Sequence, residues 1–175
     1  MPIKSRIRAI PHYPKEGIMF RDITSLLNDP IGFKIAIDSL AERYSTQQID
    51  RIAGIEARGF IIGSVLAYRL GVAFVPIRKK GKLPSATLGQ DYDLEYGTDR
   101  IEMHTDAINA DEQILLVDDL LATGGTTEAA CKLIERAGGK VVECCFVIDL
   151  PDIGGRARLE ALGHKIFALC EFKGE

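Results

Sequence analysis

The order of apolar runs restricts this chain more than any other feature. Short, almost wholly apolar stretches lie at 51–57, 72–77, 113–119, 140–150 and 165–172. A strand with one wet face alternates apolar and polar residues, whereas a strand covered on both faces reads as a continuous apolar run. Between most of these runs the periodicity turns helical. The segment 58–70 is stopped by Gly71. A second helical segment follows the run at 113–119, with Ala130, Leu133, Ile134 and Ala137 on one stripe and Glu128 placed to pair with Lys132. The segment 154–163 predicts a shorter helix. Upstream, Asp29 can cap a helix whose first turn holds Pro30 and whose inner face carries Phe33, Ile37, Leu40, Ala41 and Tyr44. Strands alternating with helices in this way predict an α/β fold with a mostly parallel central sheet flanked by helices.

At 175 residues, 46% apolar and 27% charged, the chain predicts a single domain, 1–175, with a full core. The net charge of −3 gives no global positive field to attract nucleic acid. No apolar run is long enough to cross a bilayer, and the basic N-terminus lacks the apolar core of a signal peptide. A cytoplasmic location, with no nucleic-acid or membrane partner, is the expectation. Cys131, Cys144, Cys145 and Cys170 show no C-x-x-C pairing, and His12, His104 and His164 are scattered. Buried thiols, and no zinc site, are expected.

In a parallel sheet, ligands gather beyond the carboxyl ends of the strands. Here those ends read EARG (56–59), IRKKGK (77–82), DDLLATGGT (118–126) and DLPD (149–152). In the third, two like charges close an apolar strand and a small-sided loop follows. Gly124 and Gly125, with the amides of Thr123 and Thr126 and the hydroxyls of Thr123, Thr126 and Thr127 at a helix start, suit a phosphate monoester. No Walker lysine follows, and the spacing is not that of a dinucleotide loop. Asp118 and Asp119 suit the vicinal hydroxyls of a ribose, provided the strand's end turns both toward one ligand. The segment between 77 and 113 breaks the strand–helix alternation and predicts an extended hairpin projecting from the sheet, of the kind that serves as an active-site lid.

The string ILLVDDLLATGGT resembles the phosphoribosyl-pyrophosphate motif of type I phosphoribosyltransferases, in the form used by the adenine branch of that family. The segments YPKEGIMFRDIT (13–24), GIEARGFIIG (54–63), VPIRKKGKLP (75–84) and YDLEYGTD (92–99) are similar to that family's in the same order. Together the five cover the chain from about residue 10 to about residue 155. Glu16 departs from the pattern, which usually has proline before the glycine, and leaves the local turn open.

The resemblance implies the type I phosphoribosyltransferase fold. It includes a hood from residues 1–30 and a hairpin lid over 79–107. It implies transfer of the phosphoribosyl group of phosphoribosyl pyrophosphate to adenine, giving AMP and pyrophosphate, with Mg²⁺ and a homodimer. Ala122, Thr123, Gly124, Gly125 and Thr126 would hold the 5′-phosphate, and Asp118 and Asp119 the ribose hydroxyls. Ala57, Arg58, Arg78, Lys79 and Lys82 would receive the pyrophosphate, and the family's loop at 56–58 often holds a non-proline cis peptide. Glu95, Tyr96 and Arg58 would be catalytic, with Glu95 a general acid or hydrogen-bond partner at adenine N7. Met19, Phe20, Arg21 and Leu150 would frame the base, although Arg21 and Asp22 also read as a structural ion pair. No direct protein ligand to the metal is implied; Asp118 and Asp119 would reach it through water. A phosphoribosyltransferase for xanthine or orotate remains open, as does a non-catalytic regulator that senses phosphoribosyl pyrophosphate.

Overall fold

The computed structural model describes residues 3–94 and 97–174. In chain order it forms β1 (Arg8–Pro11), β2 (Met19–Asp22), α1 (Thr24–Leu27), α2 (Pro30–Tyr44), β3 (Arg51–Ile55), α3 (Arg58–Leu70), β4 (Ala73–Lys79), β5 (Thr87–Asp93), β6 (Thr98–His104), β7 (Gln113–Leu121), α4 (Gly125–Arg136), β8 (Lys140–Asp149), α5 (Gly155–Ala161) and β9 (Ile166–Glu171). The main sheet has the order β5-β6-β4-β3-β7-β8-β9. From β4 to β9 the pairings are parallel, as the apolar runs predict.

The expected helix signals are in place. The Asp29 carboxylate accepts from Ile31 N at 3.0 Å, and Gly71 ends α3 at φ 69°. Lys132 Nζ reaches Glu128 at 2.6 Å along α4. Helices cover both faces. One face of the sheet buries Ile37, Leu40 and Tyr44 of α2 with Ile62 and Leu66 of α3. The other buries Ala130, Leu133 and Ile134 of α4 with Leu159 of α5. Burial of each such side chain contributes on the order of 1.5–3 kcal/mol against the entropy of ordering it. Glu143, on β8, is buried too. Its charge is matched by two hydrogen bonds from Arg43 at 2.9 and 3.0 Å and one from the Tyr44 hydroxyl at 2.5 Å.

The expected hairpin is present, and it is rooted in the sheet. Its second strand continues the sheet, pairing antiparallel with β4 at Arg78↔Glu102 and Lys79↔Ile101. Two details differ from the sequence reading. Through that pairing β4 runs on to Lys79, and alternation along it sends Arg78 and Lys79 to opposite faces. Arg21 and Asp22 do not pair with each other. As neighbours on β2 they also point apart: Arg21 lies over the Phe172 ring at 4.2 Å, and Asp22 takes Arg8, its cross-strand partner, at 2.6 Å.

β1 and β2 form a separate two-stranded ribbon. At the Glu16 departure the ribbon's turn is closed by Tyr13 N donating to Ile18 O at 3.2 Å. No helix among the described residues is long and apolar enough to cross a membrane.

Candidate active site

The site forms where β7 outruns its neighbour. β3 pairs with β7 only as far as Gly54↔Val117, whereas β8 follows β7 through Leu121↔Asp149. Past Val117 one edge of β7 has no strand beside it. Asp118 and Asp119 stand on that overhang, and the strand continues two residues beyond them instead of ending there. Both residues nevertheless line one cavity, of about 390 Å³.

α3 closes the gap. Gly59, its second residue, sits so near β7 that a Cβ would fall 2.8 Å from Val117 O and 2.9 Å from Asp118 Oδ1. A side chain there would hold the helix off the strand. The close approach lets Arg58 Nε donate to Asp119 Oδ2. Burial works against the Arg58 charge, but Asp119, with Asp118 and Asp22 beyond it, holds its pKa above the ordinary value. Asp119 is buried, and Asp118 is turned inward at its carboxylate end, which accepts from Asp119 N at 2.8 Å. Burial, then the adjacent Asp119 charge, push the Asp118 carboxyl well above the usual range. The peptide between Glu56 and Ala57, at the rim of the same cavity, is cis.

Beyond β7 the chain turns through Ala122 and Thr123 into α4. Gly124 takes φ 79°, a left-handed conformation that suits glycine. The loop from Ala122 to Thr126 lines the same cavity as the two aspartates, so the phosphate-loop residues and the ribose candidates share one space.

The cationic side is divided. Ala57, Arg58 and Lys79 line the cavity. Lys79 Nζ is held by Asp99 at 3.1 Å, and Asp99 also accepts from the Tyr92 hydroxyl at 3.2 Å. Tyr92 and Asp99 line the cavity as well; sequence reasoning assigns neither a site role, although they bound the segment YDLEYGTD. Arg78 turns instead to Glu56, at 3.1 Å, and to the carbonyl of Lys82. Arg78 and Lys82 lie outside the cavity lining, as do the residues expected at the base. Phe20 packs edge-on against Tyr13 with centroids 5.2 Å apart, and Met19 is exposed. Leu150 is buried where β8 ends, its N–H donating to Leu121 O at 3.0 Å. Glu95 and Tyr96, expected at the hairpin tip, lie outside the described residues.

Residues 22–160 match the model of the phosphoribosyl transferase domain. The chain belongs to the phosphoribosyl transferase family. It is similar over 99% of its length to an adenine phosphoribosyltransferase of Nitrosospira multiformis, at 68% identity and with 99% of that protein covered. Among solved structures, the adenine phosphoribosyltransferase of Thermoanaerobacter pseudethanolicus superposes with a TM-score of 0.93 at 49% identity, with 98% of each chain covered. That of Saccharomyces cerevisiae, a complex with adenine and an imino-altritol bisphosphate, gives 0.90 at 38% identity over 97% of each chain. The fold is the family's type I fold, a mixed seven-stranded sheet flanked by helices with the β1–β2 hairpin beside it.

Proposed function

We infer that the protein transfers the 5-phosphoribosyl group of phosphoribosyl pyrophosphate to N9 of adenine, giving AMP and pyrophosphate. One observation carries the reading. A phosphate-type loop, two ribose-type carboxylates and two cations line a single cavity. The relative at 68% identity, named for adenine, favours that base over xanthine or orotate.

In this reading the amides and hydroxyls of Ala122–Thr126 hold the 5′-phosphate at the start of α4. Asp118 and Asp119 accept from the ribose hydroxyls and oppose the positive charge that grows on the ring as the bond from C1′ to pyrophosphate breaks. N9 forms the new bond to C1′, and its proton passes to water or to the leaving pyrophosphate. Arg58, Lys79 and the backbone at Ala57 receive the leaving pyrophosphate, with Arg78 and Lys82 behind them. Arg58 and Lys79 are each held by a carboxylate of the protein, Asp119 and Asp99, which keeps them in place before substrate arrives. Glu95 hydrogen-bonds or protonates N7 of the base, and Tyr96 closes over the ribose and pyrophosphate. Met19, Phe20, Arg21 and Leu150 frame the adenine; the open, apolar end of the ribbon at Tyr13, Ile18 and Met19 supports a hood formed within residues 1–30. Residues 79–107 are the lid.

The donor set fits Mg²⁺ in its usual mode. Asp118 and Asp119 are hard oxygen donors, and among the described residues no three side chains cluster as a cage of their own. Mg²⁺ binds through water and substrate phosphates with one or two carboxylates nearby, and when bound it neutralises charge on the pyrophosphate. A homodimer belongs to the same reading, supported by Ile61 and Tyr68, both exposed and seven residues apart on one face of α3. A cytoplasmic setting does too. Four buried thiols, with Cys131 and Cys144 Sγ atoms 3.6 Å apart, suit a reducing compartment.

A substrate panel tests the reading. The purified protein is expected to turn over adenine with phosphoribosyl pyrophosphate. Turnover of xanthine or orotate but not adenine would overturn the base assignment, and binding without any turnover would overturn the enzyme.

A further inference from the structure

The phosphate loop has a charge problem that its own residues do not solve. From Asp118 to Thr127 the sequence contains no lysine or arginine. Glu128, next along, lies in the first turn of α4. Without ligand, a carboxylate there is favoured by the helix dipole. Glu128 is the fourth residue of α4, about 5 Å along the axis from its start, so its charge acts on a phosphate bound at that end over less than a screening length of about 8 Å.

Glu128 is gripped from two sides. Lys132 Nζ reaches it at 2.6 Å from one turn down the same helix, away from the loop. Arg158 Nε reaches it at 2.7 Å from α5. The Arg158 guanidinium extends toward the loop: Nη1 lies 3.8 Å from the point a Cβ on Gly125 would occupy. Together with Thr123, Gly125 and Thr126 of the loop and Tyr92, Asp93 and Leu94 of the hairpin, it bounds a second cavity, of about 290 Å³. The placement of α5 is not incidental. Gly155 N donates to Ala122 O at 2.9 Å, and a Cβ on Gly155 would fall 2.2 Å from that same oxygen. The loop thus fixes the start of α5, and α5 fixes Arg158 one turn later.

We propose that Arg158 is a positioning residue for the 5′-phosphate, acting by offsetting the Glu128 carboxylate at the phosphate-binding end of α4. The proposal rests on the phosphoribosyl reading of the loop and adds to it a residue outside the main cavity. An ordinary exposed ion pair would contribute little and would show no preference for a phosphorylated ligand.

The test is calorimetric binding of ribose 5-phosphate, at low and moderate salt, to wild type, Arg158→Gln, Arg158→Lys and the double variant Arg158→Gln/Glu128→Gln. Arg158→Gln is expected to weaken binding roughly 3- to 5-fold, the scale of a half-exposed charge, with the loss shrinking as salt rises. Arg158→Lys should keep most of the affinity, and the double variant should regain it. The KM for adenine should stay unchanged in all of them. Wild-type affinity in Arg158→Gln, or a double variant as weak as the single one, would overturn the role of Arg158 and leave the loop assignment standing. Failure of the wild type itself to bind ribose 5-phosphate would overturn the loop assignment as well.

Discussion

Arg58 and Asp119 meet across the gap between α3 and β7, the guanidinium Nε donating to a carboxylate that is almost wholly buried. The pair joins the proposed pyrophosphate side of the cavity to its proposed ribose side. Asp119→Ala removes a ribose acceptor and leaves Arg58 without its partner. We expect kcat/KM for phosphoribosyl pyrophosphate to fall by about 10²-fold or more, the scale of losing one preorganised charge in a site, with KM rising and kcat falling together. Steady-state kinetics at varied phosphoribosyl pyrophosphate check this; a change in kcat alone would separate Asp119 from substrate binding.

Asp118 should trade stability for function. Its carboxyl binds a proton more tightly in the folded protein than in the unfolded chain. The resulting stabilisation is full below the ordinary aspartate range and is lost as pH rises through the raised folded value. Ionisation of Asp118 as pH rises therefore works against folding. Asp118→Asn should raise Tm at pH 7.5, with the gain shrinking toward pH 4, and should weaken phosphoribosyl pyrophosphate binding. A Tm lowered at neutral pH would contradict the burial argument.

Glu112 has the opposite sign. Hydrogen bonds from Arg51, with burial working against them and Asn109 adding to them, pull its pKa down to about 2. Stability from this group is present above the ordinary glutamate value and is lost as pH falls toward about 2. Glu112→Gln should cost roughly 1 kcal/mol at pH 7, the upper scale of a surface ion pair, and its difference from wild type should close in acid. Urea unfolding at several pH values measures it; a gap that widens in acid would be the wrong sign.

Glu95→Ala should lower kcat by roughly 10²-fold or more, the scale of general acid–base catalysis, and change phosphoribosyl pyrophosphate binding little. A kinetically silent variant would remove the proposed catalytic role of the lid.

How much of this was legible in the sequence follows from the range of the interactions. The parallel sheet and its helices were readable because continuous apolar runs and 3.6-residue stripes are local patterns, as at 113–119 and Ala130–Ala137. Asp118, Asp119 and the Gly124–Gly125 loop were readable because they are consecutive in the chain. What escaped depends on register and on distant partners. The two extra residues of β4 set the split between Arg78 and Lys79, and pairing with β6 supplies them. The Arg8–Asp22 pair depends on ribbon register. Asp99 is significant only because antiparallel pairing puts it opposite Tyr92, with Lys79 within reach of both. Arg158 depends on the contact of Gly155 with Ala122, more than thirty residues apart.

The most direct test of the central claim is conversion of labelled adenine to AMP by the purified protein, with phosphoribosyl pyrophosphate present and Mg²⁺ added or chelated. The account predicts AMP and one equivalent of pyrophosphate when Mg²⁺ is present, and loss of both on chelation with recovery when the metal is restored. No AMP from adenine under any metal condition, in protein shown to be folded, would contradict it.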